Sequence, residues 1–468
     1  MMIFMFYQVE EFDMGNKLFG TDGVRGVANV YPMTAEFALK LGMAAGQLIC
    51  RKTRRAAVAR DTRISGEMLE AALTAGFNAA GVTVLKLGVV PTPAATMLTP
   101  SLGVDMTVMI TASHNPYQDN GIKLINADGD KFSDAETARI EAAIAADDFK
   151  LNPNEIGVSE AVPDAAAGYV DKALKAANGE TPLKGLRVVL DCANGVFSKI
   201  LPEVFKSLGA GIIVIGNEPN GKNINLNCGS QHTEKMIETV KNAHAQLGIA
   251  VDGDGDRIIV CDEQGNRLDG DQIIAFLGKC LKEEGKLRGN TVVATIVSNP
   301  ALDRFLNGCG IQCVRSAVGE RYVIEEMKKH GANVGGEESG HMVLSDYGKT
   351  GDAMTAALVL AQGLLKSGKK MSELFPLFEP MLRLRADSKF ATKEAMLAAF
   401  ELPEFQAAIH QAEQTVAGKG KVLVRKSGTE PKIQVWVWSD DRNLAEKVND
   451  EVSSVLEKAA GFETKKLV

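Results

Sequence analysis

The residues that could do chemistry fall in five short stretches, and the first of these to consider carries a serine. Thr111-Ala112-Ser113-His114-Asn115-Pro116 follows the apolar run VDMTVMI, and Asn115-Pro116 breaks whatever regular structure precedes it. The run reads as a buried strand, so Ser113 is presented where a strand ends, the usual ligand-binding edge of an α/β sheet. Two readings follow from these residues: a polar surface turn, or a serine that acts as nucleophile or phosphoryl carrier. Lys123, reached through Asn120 and a bend at Gly121, can stabilise a phosphoryl group or move a proton; read alone, it is a solvated cation.

The second stretch is Asp252-Gly253-Asp254-Gly255-Asp256-Arg257, set between the apolar runs LGIAV and IIVC. Alternate residues of an extended segment point the same way, so the three carboxylates can converge. Like charges that close repel unless a cation sits among them, and oxygen-only ligands suit Mg²⁺ or Ca²⁺. The spacing also resembles an EF-hand loop with Glu263 in its last position, but Arg257 stands where that loop needs glycine, and the flanks read as strands. The third stretch, Gly335-Gly336-Glu337-Glu338-Ser339-Gly340-His341, packs two carboxylates, a hydroxyl and an imidazole into a Gly-rich turn, a set that can read the hydroxyls of a polyol. The fourth, Arg425-Lys426-Ser427-Gly428-Thr429-Glu430-Pro431, has the composition of a phosphate cradle without the glycine spacing of a Walker A loop. In the fifth, Gly20-Thr21-Asp22-Gly23-Val24-Arg25-Gly26, the glycines and Arg25 allow close approach to an anion.

The elements that must position these loops repeat. RRAAVARDTRISGEMLEAALTAGFNAAGVTVLKLG, GLRVVLDCANGVFSKILPEVFKSLGAGIIVIG and NTVVATIVSNPALDRFLNGCGIQCVRSAVG each read strand, polar loop, helix, glycine, strand. That is the βαβ pattern, which requires parallel strands. Three tandem α/β domains with mixed, mostly parallel sheets are expected over 14–165, 166–270 and 271–376, with joints near 150–165 and 263–271. After Pro376 the pattern changes to a helical run through ATKEAMLAAFELPEFQAAIHQAEQTVA, two strands around the Ser427 loop, and a last amphipathic helix. A smaller α+β domain is expected over 377–468.

Composition narrows the class. At 468 residues the chain is too long for one core, and 45% hydrophobic with 24% charged residues is ordinary for a globular protein. A net charge of -7 without a basic stripe argues against nucleic acid, and no apolar run is long enough to cross a bilayer. Seven scattered cysteines, with Cys309 and Cys313 the closest pair, suit reduced thiols in a cytoplasmic protein better than a zinc site. Residues 1–13 have no basic region or cleavage site and read as a weakly ordered extension, unless translation starts at Met14.

Four of the stretches, TASHNP, DGDGDR, GEESGH and RKSGTEPK, in that order, resemble the serine, metal, sugar and phosphate loops of the α-D-phosphohexomutase superfamily. The resemblance runs from Gly15 to the end, and LFGTDGVRG, NINLNCGSQHTE (223–234), VGERYV and Thr350-Gly351-Asp352 are similar to its branch acting on glucosamine phosphates. It implies a heart-shaped molecule with a central cleft, converting glucosamine 6-phosphate reversibly to glucosamine 1-phosphate, towards UDP-N-acetylglucosamine and cell wall. By match to the motifs, Ser113 would carry the phosphoryl group and, with Asp252, Asp254 and Asp256, hold one Mg²⁺. Glu337, Glu338 and Ser339 would read the sugar, and Arg425, Ser427, Gly428 and Thr429 would hold the non-reacting phosphate. Arg25, Lys123 and His341 would supply general acid/base or charge stabilisation. Glucosamine 1,6-bisphosphate or a related bisphosphate is the implied activator, and the family suggests a homodimer. Two residues depart from the pattern: Glu338 where glutamine is usual, and Gln434 where arginine is common. Broader hexose specificity, acting on glucose or mannose phosphates, is the alternative; a non-catalytic sugar-phosphate sensor is more remote, since it need not keep Ser113 and the aspartates together.

Overall fold

The computed structural model describes residues 18–20, 22–177, 181–427, 431–460 and 465–467. The stretch 1–13 and Met14 lie outside the described residues. Four sheets follow one another along the chain. Each of the three βαβ readings is present: Arg55–Arg60 runs parallel to Thr83–Val89 across helix Ser65–Ala79, Arg187–Asp191 parallel to Gly211–Ile215 across Ile200–Ser207, and Thr291–Thr295 parallel to Gln312–Ser316 across Pro300–Gly308.

Each of these sheets then adds a further parallel strand that turns back into an antiparallel partner. Met106–Ile110 turns into Asp119–Asn126, Leu247–Val251 into Ile258–Asp262, and Val334–Gly336 into Met342–Leu344. The serine loop, the aspartate loop and the Glu337–His341 loop occupy that same turn-back in the three sheets. A turn-back leaves backbone groups outside the ladder, so such loops can be polar without breaking the sheet.

The fourth sheet is antiparallel throughout, ordered Gly420–Lys426, Lys432–Ser439, Leu382–Lys389, Lys465–Leu467. The helical run expected before it is two helices, Lys393–Phe400 and Pro403–Val416. Pro403 has no N–H to donate and disfavours helical backbone at Leu402, so it starts a helix rather than continuing one.

The chain divides into a first compact unit that reaches Tyr169 and includes Pro219–Ile224, and a second made of Val170–Glu218 and Asn225 onward. In the first, helix Ala35–Leu48 lays a stripe of Phe37, Ala38, Leu41, Ala44 and Ala45 onto a core with Phe77, Val58 and Met106. Its N-cap Thr34 accepts the Phe37 N–H at 3.2 Å. In the second, Trp436 and Trp438 stack with ring centroids 5.7 Å apart and cluster with Ala301 and Met381, fastening the antiparallel sheet to helix Pro300–Gly308. Among the described residues no helix is long and apolar enough to cross a membrane, and all seven cysteines are free thiols.

Candidate active site

In the first unit Ser113 is buried and holds a left-handed backbone, φ 53°. Few residues other than glycine adopt that conformation. Thr111 Oγ1 accepts the Ser113 N–H at 2.9 Å, and the Ser113 hydroxyl lies 3.3 Å from His114 Nδ1. The buried Arg63 reaches the Ser113 carbonyl at 3.0 Å from the loop that follows strand Arg55–Arg60. Nothing in the sequence singles out Arg63 within the polar loop of the first strand–helix–strand stretch, because an arginine there looks like any surface cation.

Arg25 and Lys123 converge on a residue with no assigned role. Asp22 takes Arg25 Nη2 at 2.5 Å, Lys123 Nζ at 3.3 Å and Lys131 Nζ at 2.6 Å. The Lys123 side chain is 6% exposed, which replaces the solvated-cation reading with a held, partly desolvated charge. Gly23 has φ 95°, and a Cβ there would run into the Ile122 carbonyl. Its glycine therefore serves the packing of strand Val24–Val27 on Asp119–Asn126. Thr21 lies outside the described residues.

In the second unit the aspartates converge, but through a tight turn at 253–255 rather than through the alternation of an extended segment. Carboxylate oxygens of Asp252, Asp254 and Asp256 lie within 4.8 Å of one another, and all three residues are buried. Asp252 Oδ1 accepts the N–H groups of Asp256 and Arg257, both at 3.1 Å, which folds the loop back over its first residue. Gly255, φ 79°, lets the backbone lie on the Phe197 ring. Three buried carboxylates with oxygen donors only are a set that a hard divalent cation such as Mg²⁺ fits and that a softer metal does not require.

The Glu337–His341 loop joins this centre on one side. His341 is buried, with Nδ1 3.8 Å from Asp256 Oδ1 and Nε2 3.1 Å from Glu320 Oε1. Burial opposes its charge, but Glu320 and Asp256 outweigh that and hold its pKa well above the ordinary histidine value. Glu320 Oε1 also accepts the Thr350 hydroxyl and, at 3.1 Å, the Gly351 N–H. Asp352 caps helix Ala353–Ser367 through the Met354 and Thr355 N–H groups at 3.0 and 3.2 Å. Glu337 Oε1 accepts the Gly319 N–H at 2.9 Å. Glu338 is tied to Arg383 Nη1 by both oxygens, at 2.5 and 2.6 Å, and Ser339 is exposed.

In the phosphate loop Arg425 is half-buried at the end of strand Gly420–Lys426; burial, then the neighbouring Arg385, hold its pKa below the usual arginine value. Ser427 is buried and donates its N–H to Lys432 O at 2.9 Å, while Gly428 and Thr429 lie outside the described residues. Gln434 pairs with Arg425 on one neighbouring strand and with Asp387 on the other. Asp387 is engaged by Arg385 at 2.6 Å and Lys432 at 3.4 Å, so arginine and lysine surround the position even with glutamine there.

Four family descriptions match the chain: Phosphoglucomutase/phosphomannomutase, alpha/beta/alpha domain I over residues 16–151, domain II over 167–265, domain III over 269–381, and C-terminal domain over 381–455. The phosphoglucosamine mutase of Paramagnetospirillum magneticum is 46% identical over 96% of this chain and 100% of its own. A solved phosphoglucomutase/phosphomannomutase family protein from Burkholderia thailandensis superposes with TM-score 0.77 at 24% identity, covering 96% of this chain and 98% of that one. The N-acetylphosphoglucosamine mutase of Aspergillus fumigatus, in complex with GlcNAc-6P and magnesium, superposes with TM-score 0.61 at 16% identity, covering 96% of this chain and 97% of that one.

Proposed function

The chain belongs to the phosphoglucomutase/phosphomannomutase family, and from that membership we propose that it is an isomerase interconverting glucosamine 6-phosphate and glucosamine 1-phosphate. The observation that carries the reading is the buried triad of Asp252, Asp254 and Asp256, oxygen donors close enough together to hold the one hard divalent cation that phosphoryl transfer uses. Ser113, phosphorylated in the working enzyme, gives its phosphoryl group to the free anomeric hydroxyl of glucosamine 6-phosphate; that hydroxyl gives up its proton and the departing Ser113 oxygen takes one up. The product is the 1,6-bisphosphate. It turns end for end, and its 6-phosphoryl group returns to the Ser113 hydroxyl, which gives up that proton while the sugar's O6 takes one up, leaving glucosamine 1-phosphate. The same bisphosphate from solution would prime an unphosphorylated chain.

A divalent cation held by the three aspartates supplies neutralisation of charge on the transferring group. Lys123 and Arg25, anchored on Asp22, place positive charge and a transferable proton in the serine's own unit. His341, 3.1 Å from Glu320 and 3.8 Å from Asp256, places an imidazole beside the triad. Glu337 and Ser339 read the sugar hydroxyls, and Arg425, Ser427, Gly428 and Thr429 grip the phosphate that is not reacting. Family membership also supports a homodimer, and free thiols support a cytoplasmic setting.

A mutase of broader hexose specificity is the second reading. Its support is Glu338, whose carboxylate is occupied by Arg383 and so is not committed to a sugar ammonium. A coupled assay on the 6-phosphates of glucosamine, glucose and mannose, with Mg²⁺ and a trace of bisphosphate, tests both. The expected result is turnover of glucosamine 6-phosphate above the other two. Ser113→Ala is expected to lose at least about 10⁴-fold in kcat while still binding sugar phosphate; full activity in that variant would overturn the mechanism.

A further inference from the structure

We propose that Arg63, itself held by Asp61, is the positioning residue for Ser113: its guanidinium fixes the loop 113–119 so that the serine keeps the left-handed backbone that presents its hydroxyl. The consequence for turnover rests on reading Ser113 as the phosphoryl carrier. Arg63 has a side chain with no exposure, and all five of its guanidinium N–H groups are placed. Nε donates to Asp61 Oδ2 at 2.9 Å. Nη1 donates to the carbonyls of Pro116 and, at 3.0 Å, Asp119. Nη2 donates to the carbonyls of Ser113 at 3.0 Å and Asn115 at 2.8 Å. Four acceptors out of five therefore belong to the serine loop.

The role of Asp61 is orientation and charge. It is fully buried and neutralises the guanidinium, while its other oxygen takes the Arg63 N–H at 2.9 Å. Its own N–H donates to Ile110 O at 3.0 Å, which fixes the pair to the end of the strand that leads into the serine loop. A non-glycine residue at φ 53° is strained and persists only where its surroundings over-determine it. At Ser113 both peptide groups are held, the N–H by Thr111 Oγ1 at 2.9 Å and the carbonyl by Arg63, so the backbone is fixed on both sides of the serine. A lysine cannot replace the arginine here, since it offers three donors on a point charge where a planar fork of five is used.

The test is Arg63→Lys in the full chain, compared with wild type by three measurements: thermal melting, separate kcat and KM for the mutase reaction, and amide hydrogen exchange of residues 113–119. The expected result is a folded protein with KM within about threefold of wild type, kcat lower by about 10²-fold, and exchange in 113–119 faster by at least about tenfold. Wild-type kcat with unchanged exchange overturns the inference. So does a fall in kcat that exchange does not accompany. Should Arg63→Lys fail to fold, Asp61→Asn removes the charge that holds the guanidinium in place and is expected to lower kcat about tenfold at constant KM, with faster exchange in 113–119; unchanged kcat and exchange overturn the inference there too. If wild type itself turns over no hexose phosphate, the proposed function fails, and the exchange rates still decide what Arg63 does to the loop.

Discussion

Three buried aspartates with oxygens within 4.8 Å of one another repel in the absence of a cation and attract one when it is offered. Asp254→Asn therefore has opposite effects in two buffers. With chelator present it is expected to melt above wild type, by on the order of 1–2 kcal/mol of relieved repulsion. With magnesium at a hundredfold the dissociation constant, wild type gains about 2.7 kcal/mol and the order reverses. Calorimetry in the two buffers reads this without any turnover, and an unchanged order would remove the triad as a metal site. The aspartates were legible in the sequence because their meeting is local, made within one short turn whose glycines let it fold back over Asp252. Asp22 and Glu320 were not. Each stands in a stretch singled out above, but its part in the site comes from partners brought in from other strands and loops, which no local spacing encodes.

Helix Gly270–Glu283 carries an acid that the site does not use. Asp271 sits in its first turn, with Oδ2 taking the Asn299 N–H at 2.7 Å, and burial, then Asp269, push its pKa up to about 7. A carboxyl whose folded pKa is raised binds its proton more tightly in the folded chain. Its stabilising contribution is therefore complete below about pH 4 and lost as pH rises to about 7, with a ceiling of about 4 kcal/mol. Asp271→Asn keeps an acceptor for Asn299 and removes the charge, so it is expected to flatten the fall in denaturant stability between pH 4 and pH 8. An equally steep fall in the variant would assign that slope to other groups. The helix itself was not among the segments the strand–helix–strand pattern called out, although its Asp269 cap, which accepts the Gln272 N–H at 3.1 Å, is a start signal written in the sequence.

In the second unit the antiparallel sheet is reached through a segment held by two side-chain amides. Gln272 accepts the Leu377 N–H and donates to Phe378 O, both at 2.9 Å; Asn299 accepts the Met381 N–H at 3.1 Å and donates to Met381 O at 3.0 Å. Each amide contributes about 1–3 kcal/mol through its two bonds, so Gln272→Ala and Asn299→Ala are expected to speed exchange of the Leu377 and Met381 amides by about 5- to 150-fold. If exchange there is unchanged, the sheet is held by the Trp436–Trp438 cluster instead. The repeat count, the parallel crossovers and the loops bearing Ser113, the aspartates and His341 could all be read from the chain, because hydrophobic period and turn residues act over a few positions. The partners those loops would find could not. Arg63 meets Ser113 across 50 positions, and Glu338 meets Arg383 across 45. Such pairings arise from how sheets and helices pack, which no local period encodes. So the chemistry on offer was a matter of residue type and short spacing, while folding settled which charges are held, which are buried, and that Glu338 faces an arginine.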